Sequence, residues 1–261
     1  MLIQSRTVIS RRQAIHLNAI ALGEGPPLVI LPGLGRPSAD VAPLANILAS
    51  AKYAVLLPES RGIGASTGPL EGLTLHDLAA DVAALIGQWT TTPAVIIGHA
   101  FGNRIARTLA ADRPDLVSAV VLLSSSGKVQ PTPEIADAIR LAQTADTPPD
   151  VRRAAVQLAW FAQGHDGTKW LDGWSLSVIV AYLAAAAATP IEEWWGAGSK
   201  DVLIVQGLRD VAAPVDNGRL LKQELGDRGT LVELPNIGHA MPVEDPQACA
   251  NAILGFLGTK R

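Results

Sequence analysis

Three segments far apart in this 261-residue chain carry residue types that act on carbonyl carbons. The first is Val95-Ile96-Ile97-Gly98-His99-Ala100-Phe101-Gly102-Asn103, a buried apolar run followed by a turn of small residues and a helix start. A side chain at position 100 would stand at the tip of a sharp strand-to-helix turn. The residue there is Ala100, whose methyl group has no lone pair and no ionisable proton and cannot form an acyl-enzyme. The second segment, Val205-Gln206-Gly207-Leu208-Arg209-Asp210, ends an apolar run with a carboxylate. The third, Leu234-Pro235-Asn236-Ile237-Gly238-His239, places an imidazole in a loop before Glu244-Asp245-Pro246 opens the closing helix. A carboxylate that orients an imidazole makes a general base for a hydroxyl, for water or for a substrate carbon acid.

A fourth segment, Leu31-Pro32-Gly33-Leu34-Gly35-Arg36, follows another apolar run, and a glycine-rich turn there can aim backbone N–H groups at an oxyanion. Each signal has a plain alternative: a strand-to-helix turn, a tight turn that needs glycine anyway, a helix-capping aspartate, a surface histidine. Their order along the chain is more specific than any one of them. The remaining candidates are weaker. His16 reads as structural, His76 as solvated at a helix start, and His99 as packed beneath the turn at position 100. His165 lies beside Asp166 with nothing to support a pocket role, Ser124-Ser125-Ser126 suits loop hydrogen bonding, and Cys249 suits the core. No His, Cys, Asp or Glu cluster has metal-ligand spacing, and no cofactor is implied.

The elements that must position these residues alternate. Gln13 to Ala21 alternates like a half-exposed strand, and short apolar runs at 28–31, 54–57, 94–97, 119–123, 202–205 and 231–234 suit strands covered on both faces. Helical patterns fall between them at 39–50, 74–89, 100–112, 214–225 and 246–257, with Asp40 and Thr74 as first-turn or cap residues. This alternation predicts an α/β class with a mostly parallel sheet and helices on both faces. The opening segments lack an intervening helix and should pair antiparallel at one edge. The rhythm breaks between 128 and 198, where no strand is evident and five of the six tryptophans fall (Trp160, Trp170, Trp174, Trp194, Trp195) together with the alanine run Ala184 to Ala188. We read 128–198 as a helical lid inserted into a core of residues 1–127 and 199–261, with one or two of its aromatic residues facing a pocket.

Composition bounds the partners. Hydrophobic residues make up 48% and charged residues 17%, enough for a sizeable core, and the net charge of −3 gives no reason to expect nucleic acid or an anionic membrane. The start of the chain, Met1-Leu2-Ile3-Gln4-Ser5-Arg6, lacks a signal-peptide pattern, and no uncharged apolar stretch reaches membrane-spanning length. One cysteine excludes an intramolecular disulfide and suits a reducing compartment. The expectation is a cytoplasmic protein acting on a small molecule; nothing in the sequence argues for a particular oligomeric state.

Glycines at 98 and 102 around position 100, with Asp210 and His239 following in that order, resemble the nucleophile elbow, acid and base of the α/β-hydrolase superfamily. Pro58-Glu59-Ser60-Arg61-Gly62-Ile63-Gly64-Ala65-Ser66 is similar to the D-x-R-G-x-G-x-S turn of that superfamily, with Glu59 in place of Asp. The resemblance covers nearly the whole chain. It implies an α/β-hydrolase fold with an inserted cap, Ala100 at the nucleophile position, Asp210 as acid and His239 as base. It also implies that Leu34 and Phe101 supply the oxyanion-hole N–H groups. The chain departs from the pattern at Ala100, at Pro32 (where a histidine is usual) and at Asn103 (where a small residue is usual).

Ala100 then admits three readings. The chain is a Ser-to-Ala form of an esterase or lactonase; or it works without a serine, with His239 activating water or abstracting a substrate proton in hydrolase, lyase or cofactor-independent chemistry; or it binds a small molecule without turnover. Asp210 and His239 argue against pure binding, because a pocket without chemistry has no use for an oriented base. The expected substrate is a small, largely apolar carbonyl compound, an ester or lactone.

Overall fold

The computed structural model describes residues 5–12 and 14–259. Gln13, at the start of the expected edge strand, and Met1 to Gln4, read for a leader, lie outside the described residues. Eight strands form one sheet in the order β1-β2-β4-β3-β5-β6-β7-β8. They are β1 (Ser5–Arg12), β2 (Ile15–Leu22), β3 (Pro27–Leu31), β4 (Ala54–Pro58), β5 (Ala94–His99), β6 (Val117–Leu123), β7 (Val202–Gly207) and β8 (Gly229–Leu234). As the helix-free opening predicts, β1 pairs antiparallel with β2 and β2 antiparallel with β4, while the remaining pairings are parallel.

The central strands are buried on both faces, so alternate residues serve two cores. Val29, Ile96, Val120 and Ile204 pack with α2 (Leu75–Trp89) and α3 (Gly102–Asp112). Ile30, Ile97, Val121 and Val205 pack on the opposite face with α1 (Ala42–Ser50) and, through Ile253 and Leu257, with the C-terminal helix (Pro246–Gly258). Each such side chain contributes about 1.5–3 kcal/mol by leaving water. Thr74 caps α2 in a reciprocal capping box with Asp77, as its type suggests. Asp40 instead sits in a short 3-10 turn ahead of α1 and pairs with Arg36 at 2.6 Å.

The parallel registers bring the C-terminal ends of the strands level. Leu31 pairs with Gly98, His99 with Leu123 and Gly207 with Leu234. The loops after β3, β5, β7 and β8 therefore open on one edge of the sheet, the edge where open α/β sheets bind ligands. Between β6 and β7 the chain builds α4 (Pro133–Ala142), α5 (Pro149–Trp160) and α6 (Leu176–Ala188), with no strand among the described residues there. These helices hold a small core of their own around Val156, Trp160, Phe161 and Trp170, which also takes in Ala240 from the loop after β8. The chain resumes with α7 (Asp216–Leu225), then α8 (Met241–Glu244) and α9, the C-terminal helix already described. Among the described residues no helix is long and apolar enough to cross a membrane.

The turn after β4 is tied down by charge. Arg61 donates from Nε and Nη2 to the two carboxylate oxygens of Asp81 on α2, each at 2.7 Å, and both residues are buried. Glu59, in the position the resemblance assigns to Asp, accepts from Ser38 Oγ at 2.6 Å, and its carbonyl accepts from Ser66 Oγ at 2.9 Å. Tyr182 of α6 donates to the Arg61 carbonyl at 3.0 Å, which fastens the inserted helices to this turn.

Candidate active site

Helix α3 begins at Gly102 rather than at Ala100, because Ala100 is in the left-handed region with φ of 50°. Its N–H donates to Leu123 O at 3.0 Å and its carbonyl accepts from Asn103 N at 3.0 Å. A β-carbon at Gly98 would lie 2.4 Å from the Gly102 carbonyl oxygen, and one at Gly102 would lie 2.6 Å from that of Leu31. Both glycines are therefore demanded by backbone approach, and the strained turn persists without a serine at its tip. Asn103 is fully buried and donates from Nδ2 to the carbonyls of Leu123 at 3.0 Å and Ser124 at 2.9 Å. The amide stitches the turn to the end of β6, which accounts for a larger residue where a small one is usual.

Asp210 follows β7 and His239 follows β8, and the two loops touch. A β-carbon on Gly207 would fall 2.4 Å from Ile237 O, and Arg209 N donates to that same carbonyl at 2.9 Å. The approach brings His239 Nδ1 within 3.1 and 3.0 Å of the two carboxylate oxygens of Asp210. Asp210 Oδ1 also accepts from Ala213 N at 2.7 Å, so its capping role and its contact with the histidine coexist. His239 Nε2 has no partner among the described residues, and its ring borders a cavity. Helix α7 starts at Asp216, two residues after Pro214, and leaves room for this turn.

The cavity, of about 200 Å³, lies between the strand ends and the inserted helices. Ala100, Leu34, Phe101 and His239 all line it, and Asp210 stands behind His239. The backbone N–H groups of Leu34 and Phe101 donate to no acceptor among the described residues. A β-carbon placed on Gly33 would lie 3.3 Å from His99 Nδ1 and 3.8 Å from Ala100 Cβ, so the glycine-rich turn closes directly on the elbow. Three tryptophans line the cavity, Trp160, Trp170 and Trp174, where one or two aromatic residues were expected. Trp160 and Trp174 are stacked with centroids 4.7 Å apart, so the packing aromatics are also the wall. The lining is largely apolar, as expected, and Arg36, Arg104, Gln130, Gln143 and Ser126 add polar groups to it.

His99 lies beneath the elbow, fully enclosed, its ring 5.5 Å from that of His239 and 6.0 Å from that of Trp170. Burial pushes its imidazole down to about 3, so the ring is neutral at ordinary pH. The loop of His239 is further held by Glu244, which accepts from Gly238 N at 3.1 and 3.0 Å and from Ala162 N at 3.2 Å. Burial raises the Glu244 carboxyl above its ordinary value. The sequence places Glu244 only at a helix start; a β-carbon on Gly238 would lie 2.8 Å from Glu244 Oε1, so the missing side chain at 238 is what lets the carboxylate approach.

The other candidates fall outside. His76 is not simply solvated: it bridges Asp112 and Glu193 at 2.7 Å each on the surface, which raises its pKa. His165 contacts Asn236 O at 3.2 Å and does not line the cavity, Cys249 is buried in the core, and His16 lies in β2. Among the described residues no group of three or more His, Cys, Asp or Glu could hold a metal ion.

A family model for the alpha/beta hydrolase fold matches residues 26–169, and one described as TAP-like protein matches residues 172–260. The chain is 27% identical to the 2-(acetamidomethylene)succinate hydrolase of Mesorhizobium japonicum, over 98% of this chain and 97% of that protein. It is 28% identical to the pimeloyl-[acyl-carrier protein] methyl ester esterase of Chromobacterium violaceum, over 94% and 100%. Among solved structures, an esterase from Exiguobacterium antarcticum superposes with a TM-score of 0.81 at 18% identity, covering 97% of this chain and 99% of that one. By its family match across more than half its length, and by its mostly parallel sheet with helices on both faces, the chain belongs to the α/β-hydrolase fold family.

Proposed function

We propose that the chain hydrolyses an ester-type bond of a small carbonyl compound without a serine nucleophile, through water activated by His239. The observation that carries this reading is the contact of His239 Nδ1 with both carboxylate oxygens of Asp210, with Nε2 left without a partner among the described residues and His239 and Ala100 lining one cavity. An aspartate that accepts from Nδ1–H fixes the tautomer in which Nε2 is the acceptor. Water bound at Nε2 transfers a proton to it and attacks the substrate carbonyl. The tetrahedral oxyanion is met by the N–H groups of Leu34 and Phe101, and the imidazolium returns the proton to the leaving alkoxide. The products are a carboxylic acid and an alcohol. Ala100, with no group larger than a methyl, leaves space for the water.

Named relatives that hydrolyse acyl compounds support the reaction class, and the unpaired N–H groups at the elbow and at Leu34 support an oxyanion site. In this reading residues 128–198 form the lid and residues 1–127 and 199–261 the catalytic core. The test is hydrolysis of a panel of short p-nitrophenyl esters and lactones by the unaltered chain and by His239→Ala. Activity in the first that falls by about 100-fold or more in the second supports the reading. Activity indifferent to His239, or no turnover of any member, overturns it and leaves the pocket as a binding site.

A further inference from the structure

Arg104 is the one charge in the cavity wall whose side chain has no hydrogen-bonded or ion-paired partner among the described residues. Its Nε is buried and unpaired, and the guanidinium has only the faces of Phe101, at 5.7 Å, and Trp194, at 5.6 Å. The other cavity arginine is already satisfied. Arg36 donates to both carboxylate oxygens of Asp40, at 2.6 and 3.2 Å, and to Asp172 O at 2.6 Å, and it sits against Trp170 and Trp174. Arg107, one turn further along α3, stacks on Trp194 and Trp195 and donates to Asn103 O and to Ser126 O; one of its nitrogens, Nη1, is buried without a partner among the described residues, but Arg107 is fully buried and does not itself line the cavity. No Asp or Glu lines the cavity. Desolvation holds the Arg104 pKa below its ordinary value with no acidic neighbour to offset it. A guanidinium stays charged in proteins, and leaving one partly buried without an anion is unfavourable unless a ligand supplies the anion.

We infer that Arg104 binds a free carboxylate on the substrate, remote from the bond that is cut. This rests on the reading of the cavity as the hydrolytic site and specifies its substrate as an acyl compound with a carboxylate at its far end. The placement fits. Arg104, Ala100 and Phe101 line one cavity of about 200 Å³, so an anion at the guanidinium and a carbonyl at the elbow can belong to one small ligand. The planar guanidinium can take a carboxylate in bidentate fashion, a match that a single ammonium does not reproduce.

The probes are the monomethyl esters of succinic, glutaric and adipic acid and the matching compounds in which a carboxamide replaces the carboxylate. Binding is measured by calorimetry and by quenching of the tryptophan fluorescence of the cavity wall. In the unaltered chain at least one carboxylate should bind about tenfold or more tightly than its carboxamide. Arg104→Gln should erase the difference, and Arg104→Lys should keep part of it. Arg104→Met, which keeps the apolar stem and removes the charge, should erase it as well and serves if the glutamine variant does not fold. Equal binding of acid and amide in the unaltered chain, binding of neither, or a preference that survives the loss of the charge overturns the assignment. Turnover is a separate readout: a carboxylate preference without hydrolysis leaves the anion site standing and removes the hydrolytic reading, and hydrolysis without the preference does the reverse.

Discussion

His99 Nε2 lies 2.8 Å from the main-chain carbonyl oxygen of His239, 140 residues away in the chain. Ser124 Oγ donates to the same oxygen at 2.9 Å. The residue just before the elbow tip and the residue just after β6 thus hold the backbone of the candidate base from below, while Asp210 holds its ring. A carbonyl that accepts from His99 requires a proton on Nε2, which a neutral ring supplies in one tautomer.

The enclosed His99 makes stability depend on acid. Unfolded, an imidazole takes up a proton below about pH 6.5; folded, this one resists until about pH 3. Across that window the unfolded state binds more protons, so stability is fully present above it and falls as the pH drops. The contribution from this group is at most about 1.4 kcal/mol per pH unit. His99→Gln keeps a donor and removes the titration. Urea unfolding between pH 4 and 8 should show a shallower decline in that variant; parallel curves for the two proteins would contradict the assignment.

Ala100 sits at the tip of a tight strand-to-helix turn. Its φ is left-handed, Gly98 and Gly102 allow a close backbone approach, and it lines the same cavity as His239. Ala100→Ser should therefore give p-nitrophenyl acetate hydrolysis with a burst of nitrophenol and a rise of about 100-fold or more over the unaltered chain. The double variant with His239→Ala should lose the burst. Absence of any burst in the serine variant would mean that the hydroxyl and the imidazole are out of register.

Two pairs of glycines in this chain stand in opposite surroundings. Added β-carbons at Gly98 and Gly102 collide with backbone atoms at 2.4 and 2.6 Å, whereas Gly87 in α2 and Gly255 in α9 are exposed and have nothing within 4 Å. Gly98→Ala and Gly102→Ala should each destabilise by about 3 kcal/mol or more, or prevent folding. Gly87→Ala and Gly255→Ala should each stabilise by about 0.5–1 kcal/mol. Chemical denaturation of the four variants decides; tolerance of alanine at 98 would mean the turn can open.

Arg61 and Asp81 form a buried pair with two 2.7 Å hydrogen bonds. Arg61→Gln should cost about 3–5 kcal/mol, because it leaves a carboxylate in the interior without its cation. Replacing both partners, as in Arg61→Leu with Asp81→Leu, should recover a substantial part of that loss. A thermal melt of the single and double variants gives the comparison, and additive losses would show that the pair is not coupled.

Much of the architecture was legible because it is local. The apolar runs at 28–31, 94–97, 119–123 and 202–205 suit strands covered on both faces, and their spacing leaves room for crossover helices. Glycines at 98 and 102 announced a turn too tight for a β-carbon, and Thr74 announced a cap. Those are matters of a few neighbouring residues and of elementary sterics. Ends of helices were less legible, since Ala100 has high helix propensity and is nevertheless held in the left-handed region, its N–H donating to the distant Leu123 O and its carbonyl accepting the local turn bond from Asn103 N.

The linear order of residues distinguishes Arg36 from Arg104 only in part: Arg36 has Asp40 four residues on, where Arg104 has Thr108. Both follow a glycine-containing turn at a strand end. Their difference arises because Asp40 and the carbonyl of Asp172, 136 residues on, converge on one guanidinium and no acid reaches the other. The same holds for the three cavity tryptophans and for the two donors on the His239 carbonyl. Whether a charge is compensated, or a ring faces solvent or core, depends on contacts between distant segments, and those exist only once the sheet has brought its strand ends level and the inserted helices have closed over them.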